Sequence, residues 1–184
     1  MSNQPNEIAQ HGVFIDVDGT GVLLSGQSGI GKSELALGLI SRGHRLVADD
    51  SVILATESQQ VIGRCPELLQ DFLEVRGLGI LNIRAMFGDA AIKEEKTLQL
   101  IINIIQVATD ELYLIDRLYG MHDQRLILNI EIPEVSIPVA PGRNLAILVE
   151  AAVKNHILKT TGYDSSKDFT ERHQKFMTRE KNEN

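Results

Sequence analysis

Along residues 13–17 and 22–25 the chain is almost continuously apolar, and the polar break between them is Asp18, Gly19 and Thr20. Asp-Gly between two apolar runs signals a β-hairpin turn. The second run leads into a glycine-rich stretch. After it, Leu35, Leu39 and Ile40 recur at helical spacing until Gly43. Residues 46–48 read as the next buried strand, ending at Asp49 and Asp50, and 52–55 continue extended. Pro66 opens an expected short helix over 66–73, because proline is tolerated in a first helical turn. Gly77 and Gly79 leave residues 74–80 without a helix or strand assignment. A helical turn is expected over 82–87, closed by Gly88. Strands follow at 98–105, 125–132 and 136–139. Residues 145–159 form a helix ended by Gly162, and 165–177 a last amphipathic helix with Phe169, His173 and Phe176 on one face.

The 184 residues fit one domain, and a hydrophobic share of 43% is enough for a real core. We expect a catalytic domain over 11–177, flanked by a flexible N-terminal segment (1–10) and a flexible tail (178–184), both polar. A net charge of −7 without a dense Lys/Arg cluster argues against a nucleic-acid partner. The one cysteine, Cys65, forms neither an intrachain disulfide nor a zinc site and reads as a small buried residue. No apolar run is long enough to span a membrane, and a cytoplasmic location is expected.

The chemistry is concentrated in Gly26, Gln27, Ser28, Gly29, Ile30, Gly31, Lys32 and Ser33, which match the P-loop pattern with a strand before and a helix after. Glycines let successive N–H groups turn inward as a nest for phosphate oxygens, and the helix adds its positive end. In this pattern Lys32 reaches the β- and γ-phosphates of ATP and Ser33 places its hydroxyl on Mg²⁺. Asp49 and Asp50 end a hydrophobic strand. A carboxylate there either holds the metal through water or accepts a proton from an attacking hydroxyl. Asp16, Asp18, Gly19 and Thr20 imitate the nucleophile motif of haloacid-dehalogenase-type phosphatases. A strand and a P-loop follow within a few residues, so the turn reading is preferred.

Taken together, the sequence resembles the catalytic domain of the HPr kinase/phosphorylase family. The likeness is carried by His11, Gly12 and Val13, then residues 26–34 and 42–50, then the run LEVRGLGILN at 73–82, the most specific of these. It continues through Met86, Phe87 and Gly88, through Asp116, Arg117 and Leu118, through residues 137–144, and through Gly162 and Tyr163. The resemblance implies an α/β fold: a mixed-sheet P-loop kinase domain similar to the phosphoenolpyruvate carboxykinase nucleotide core. It implies phosphorylation of a serine on HPr, the carrier of sugar phosphotransferase systems, with ATP or pyrophosphate, and phosphorolysis of the product by inorganic phosphate. Carried over, residues 26–33 bind nucleotide, while Ser33 and Glu74 ligate Mg²⁺. Asp50 is the general base, and the general acid in reverse. His11, Lys32 and Arg117 complete the active site. Residues 73–82 serve both directions, and residues 138–143, with Arg143 at a helix start, serve mainly dephosphorylation. A homohexamer and a role in regulating carbon metabolism are implied likewise. Two other readings fit the P-loop itself: a kinase of a small-molecule hydroxyl, and a nucleotide-sensing module without turnover.

Overall fold

The computed structural model describes residues 7–108 and 116–182. It opens with β1 (Glu7–His11), paired antiparallel with β5 (Ser51–Glu57). Residues 7–10 are thus a strand and not part of a flexible segment. Their side chains are mostly exposed, which makes them read as a tail, but the ladder satisfies their backbone groups. Residues 1–6 lie outside the described residues.

Strands β2 (Val13–Val17) and β3 (Thr20–Gly26) form the expected hairpin and are buried almost throughout. The turn residues Asp18 and Gly19 both have positive φ, 50° and 82°. Two left-handed residues match the right-handed twist of the strands they join. Asp16 faces inward, paired with Arg45 and 3.7 Å from Lys96, so it is a structural acid beneath the hairpin.

The glycine-rich stretch links β3 to α1 (Lys32–Ile40), and β4 (Arg45–Ala48) returns beside β2. Strand β5 turns through Ser58 and Gln59 into β6 (Gln60–Arg64). At the centre lies β9 (Glu95–Gln106), flanked on one side by β3, parallel to it. On its other side it takes β6 antiparallel at its start and β11 (Ile130–Val139) parallel at its end. The result is one mixed sheet in an α/β fold. It curls, so that a Cβ placed on Gly63 of β6 would come within 2.3 Å of the Phe14 ring on β2.

Two cores result. The helices α1 and α3 (Leu145–Thr160) cover one face through Leu39, Val149 and Val153, against Ile15, Leu24 and Ile102. Inside the curl, Phe14 and Leu23 meet Leu54, Val61, Leu98 and Ile101. Each such fully buried side chain contributes roughly 1.5–3 kcal/mol.

Other expectations are corrected. Residues 66–73 hold only a single 3₁₀ turn, Glu67–Leu69. Leu68 has nothing to pack on and is 87% exposed, while Leu73 is drawn into β7 (Phe72–Val75). Strand β7 pairs with β8 (Gly79–Asn82) as a separate two-stranded hairpin. The strand expected over 125–132 is broken by Leu128 and Asn129, at φ 49° and 64°, into β10 (His122–Ile127) and β11. The strand at 136–139 is the end of β11. By contrast, α2 (Ile83–Phe87) keeps its expected limits: Asn82 caps it through the Ala85 N–H at 2.8 Å, and Gly88 closes it at φ 85°.

Helix α4 (Ser165–Asn182) continues through five residues of the tail expected to be loose. Those residues include Arg179, Glu180 and Lys181, all good helix formers. Phe169 and His173 stack on it with ring centroids 6.2 Å apart. Among the described residues no helix is long and apolar enough to cross a membrane.

Candidate active site

The loop after β3 is shaped by glycines in left-handed or extended-positive geometry: Gly26 at φ 140°, Gly29 at 80° and Gly31 at 101°. Gly26 cannot be replaced without cost, because a Cβ there would lie 2.4 Å from the Ile104 carbonyl oxygen on β9. Gly31 caps α1, and the Leu35 N–H reaches its carbonyl at 2.9 Å. The amides ahead of that first turn lack helical partners and face a cleft as an anion nest. Ile30 turns away and packs on the core.

Lys32 Nζ donates to the carbonyl oxygens of Gly26 and Gln27, both at 2.9 Å. Burial lowers its pKa, while Asp49 and Asp50 oppose that shift. Two of its three N–H bonds therefore fasten the loop, and one remains for a phosphate oxygen.

Asp49 is buried, and its carboxylate joins two elements. Oδ1 accepts from the Ser33 hydroxyl at 3.2 Å and Oδ2 from the Glu74 N–H at 2.8 Å. Burial pushes its pKa up, and these two hydrogen bonds pull it back. Asp50, next in the chain, is exposed and sits at φ 63°. A non-glycine residue in that conformation is held by its surroundings, a frequent feature of functional sites. His11 supplies part of the restraint: its Nδ1 lies 3.0 Å from the Asp50 carbonyl oxygen and 3.2 Å from Oδ1.

The β7–β8 hairpin brings in the last groups. Leu73 and Val75 are buried in the core, so alternation along the strand turns Glu74 outward, and Arg76 follows in the turn between β7 and β8. Both line a cleft of about 150 Å³ together with His11, Ser28, Gly29, Gly31, Lys32, Ser33, Asp49 and Asp50. Nine of the site candidates singled out from sequence, Asp49, Asp50 and Glu74 among them, thus share one cavity. Arg143 does not line it. It occupies an adjoining groove with Gly31 and Glu34, and its Nη1 donates to the Pro138 carbonyl at 3.3 Å. Arg117 is also outside, in an exposed turn whose Leu118 and Tyr119 N–H groups bond Asp116 Oδ1. Arg76 was read from sequence only as a member of the run 73–82, without a role of its own.

Ser33, Asp49 and Glu74 offer hard oxygen donors only, which suits Mg²⁺. Among the described residues no three His, Cys, Asp or Glu side chains form a metal cage. That fits an ion held by few protein oxygens and completed by phosphate and water. Cys65 is partly buried, and burial pushes its thiol up to about 11, so it is an inert packing residue.

Comparison with known proteins finds relatives of one kind. The model of the HPr serine kinase C-terminal domain matches residues 3–173. The HPr kinase/phosphorylase of Neisseria meningitidis serogroup C is 55% identical over 166 residues, covering 90% of this chain and 52% of that protein. The HPr kinase/phosphorylase of Chromobacterium violaceum is 51% identical over 173 residues, covering 94% and 54%. The chain therefore spans about half the length of the curated relatives it matches. Among solved structures, the HPr(Ser) kinase/phosphatase from Coxiella burnetii is similar with a TM-score of 0.77 and 38% identity, covering 88% of this chain and 98% of that one.

Proposed function

Since the chain belongs to the HPr serine kinase C-terminal domain family, we propose that it phosphorylates a serine of the carrier protein HPr with ATP or pyrophosphate. The same site reverses the modification by phosphorolysis. The observation that carries the proposal is the shared cleft, in which a glycine nest, Lys32, Ser33, Asp50 and Glu74 converge.

In the forward direction the nest amides and Lys32 hold the polyphosphate, and Asp50 takes the proton of the serine hydroxyl as its oxygen attacks the terminal phosphorus. ADP or phosphate leaves. In reverse, an oxygen of inorganic phosphate attacks the phosphoserine phosphorus, the serine oxygen departs with a proton from Asp50, and pyrophosphate is released. His11 fixes the Asp50 carboxylate for both steps. Mg²⁺, when bound, neutralises phosphate charge; Ser33 and Glu74 are its proposed ligands. The work is positioning and charge stabilisation, which is most of what phosphoryl transfer requires of a protein. Arg143, beside the start of α3, is placed to guide free phosphate, and Arg117 is a proposed clamp on the transferring group. A core like that of phosphoenolpyruvate carboxykinase, a homohexamer and a cytoplasmic location belong to the same proposal.

Mass spectrometry of purified HPr after incubation with the protein, ATP and Mg²⁺, and then with excess phosphate, tests it. Gain of one phosphoryl group and its later loss, with pyrophosphate appearing, is the expected result. Transfer to a metabolite but not to HPr would reject the protein-kinase reading. ATP binding without any transfer would leave a nucleotide sensor.

A further inference from the structure

A second cavity, of about 620 Å³, opens between the β10–β11 ribbon and α3. Among the described residues it shares no lining residue with the nucleotide cleft. Its volume is in the range of sites that bury a small organic molecule. Cross-strand pairing shows how the sheet wall is made. His122 stands opposite Val135 and Gln124 opposite Pro133, and alternation puts all four on one face. Val135 packs on the core that α3 covers, so this face is turned toward the helix. Across the gap, Ala152, Asn155, His156 and Lys159 follow one another at helical spacing, with Ala151 beside them.

The walls carry a charge pattern as well as a shape. Burial, and after it the Lys159 charge, lowers the pKa of His122, while Asp164 opposes the shift. The same two causes lower that of His156. Both imidazoles are therefore uncharged at neutral pH, and each keeps one N–H to donate. The two acids that line the cavity, Asp123 and Glu134, belong to the opposite face of the ribbon. Glu134 is neutralised by Arg125 at 2.6 Å, which also donates to Ser25 Oγ at 3.0 Å. Asp123 Oδ1 accepts from the Gln124 N–H at 2.8 Å. The negative end of α3 is closed as well, because the Thr161, Gly162 and Tyr163 N–H groups take the carbonyl oxygens of Ile157, Leu158 and Lys159. Facing the gap are one ammonium, two imidazoles, two amides and apolar carbon.

We propose that this cavity is a second ligand site, which takes a small organic monoanion with an aromatic or hydrocarbon body. The anionic group sits among Lys159, His122 and His156, and the body lies against Pro133, Val135 and Ala151. One ammonium balances one negative charge, which favours a carboxylate or sulfonate over a polyphosphate. The apolar wall in turn favours an organic anion over a bare inorganic one.

The probe is anilinonaphthalene sulfonate, an aromatic monoanion whose fluorescence rises in apolar surroundings. Anilinonaphthalene, the same rings without the sulfonate, is its control. Titration of the protein should give saturable fluorescence that excess ADP does not displace. Lys159→Gln should weaken the sulfonate probe roughly 10-fold, the loss of one charge-assisted hydrogen bond, and leave the neutral probe unchanged. Ala151→Trp fills the gap and should abolish the response to both. Lys159 and Ala151 are exposed, so both variants should melt as wild type does and bind ADP with its affinity. Absence of saturable fluorescence in wild type, displacement by ADP, or an unchanged response in Ala151→Trp would overturn the proposal. An equal effect of Lys159→Gln on the two probes would overturn it as well. Loss of the signal as protein concentration rises would give the cavity to a second copy of the chain, again overturning it.

Discussion

The Ser33 hydroxyl donates to Asp49 Oδ1 at 3.2 Å, and this contact joins the first turn of α1 to the end of β4. The other oxygen of the same carboxylate receives the Glu74 N–H at 2.8 Å. One buried acid therefore sets the spacing between the two residues proposed as Mg²⁺ ligands. It is buried at the cleft wall near Lys32 and forms no direct ion pair among the described residues, so its cost in burial is tied to holding the site together.

Asp49→Asn is expected to raise the Mg²⁺ concentration needed for half-maximal transfer by about 10- to 100-fold, as loss of supporting contacts around a metal commonly does. Glu74→Gln, removing a ligand outright, should shift the same titration at least as far. The folded pKa of Asp49 is raised, so the fold disfavours its charged form, and that penalty grows as pH rises through the folded value. Asparagine escapes it. Asp49→Asn without metal should therefore melt a few degrees above wild type at pH 7, a gain of about 1 kcal/mol. Calorimetry checks the sign.

Asp50→Asn should lose both directions of transfer by about 10²- to 10⁴-fold while nucleotide affinity stays near wild type. Lys32→Ala should lose affinity instead, because it removes both the phosphate contact and the bonds that fasten the loop. Isothermal titration with ADP beside an HPr transfer assay separates the two. Affinity loss in Asp50→Asn comparable to that of Lys32→Ala would count against the base.

Gly63→Ala offers a contrast between fold and site. Its Cβ would press on the Phe14 ring at 2.3 Å, and neither residue lines the cleft. We expect destabilisation of about 1–3 kcal/mol, with activity per folded molecule retained. Urea denaturation and an active-site titration together check this.

Glu150 on α3 is held by Arg42 through two hydrogen bonds, at 2.6 and 2.7 Å, and by His44 at 2.9 Å. The Arg42 contact is the main cause of its pKa falling from 4.5 to about 2, with His44 adding to it. A depressed carboxylate stabilises the fold above its ordinary range and loses that contribution as pH falls through the folded value. Glu150→Gln should thus cost about 1 kcal/mol at pH 7, a modest figure because Arg42 is nearly half exposed. The gap from wild type should close between pH 4.5 and 2. Denaturant titrations across that range test it.

What could be read in the sequence was what short-range chemistry decides. Asp18 and Gly19 dictate their hairpin, Asn82 and Gly88 bracket their helix, and the loop over residues 26–33 carries its own explanation in its glycines. Pairing between distant segments left no such mark. Residues 7–10 leave most of their side chains exposed, and they are held by backbone pairing with a strand more than forty residues away. The turn at Leu128 and Asn129 carries no glycine to announce it, so two strands read as one. In the cleft, Lys32, Ser33 and Asp50 were legible from the loop and from the strand end, and Glu74 through family likeness. Arg76 was legible only as part of the run 73–82, because it sits in a turn where no periodicity shows which way a side chain points. Arg117 and Arg143 stand outside the cavity, since residue type and likeness do not fix distance.

The position of β9 bears on how the molecule comes into being. Strand β3, which delivers Gly26 to the cradle, is flanked among the described residues by β2 and β9, and β9 ends only at Gln106. A growing chain that has emerged as far as α1 carries every residue of the nucleotide loop but lacks the wall it leans on. Ligand grip should appear only after β9 has left the ribosome and paired with β3.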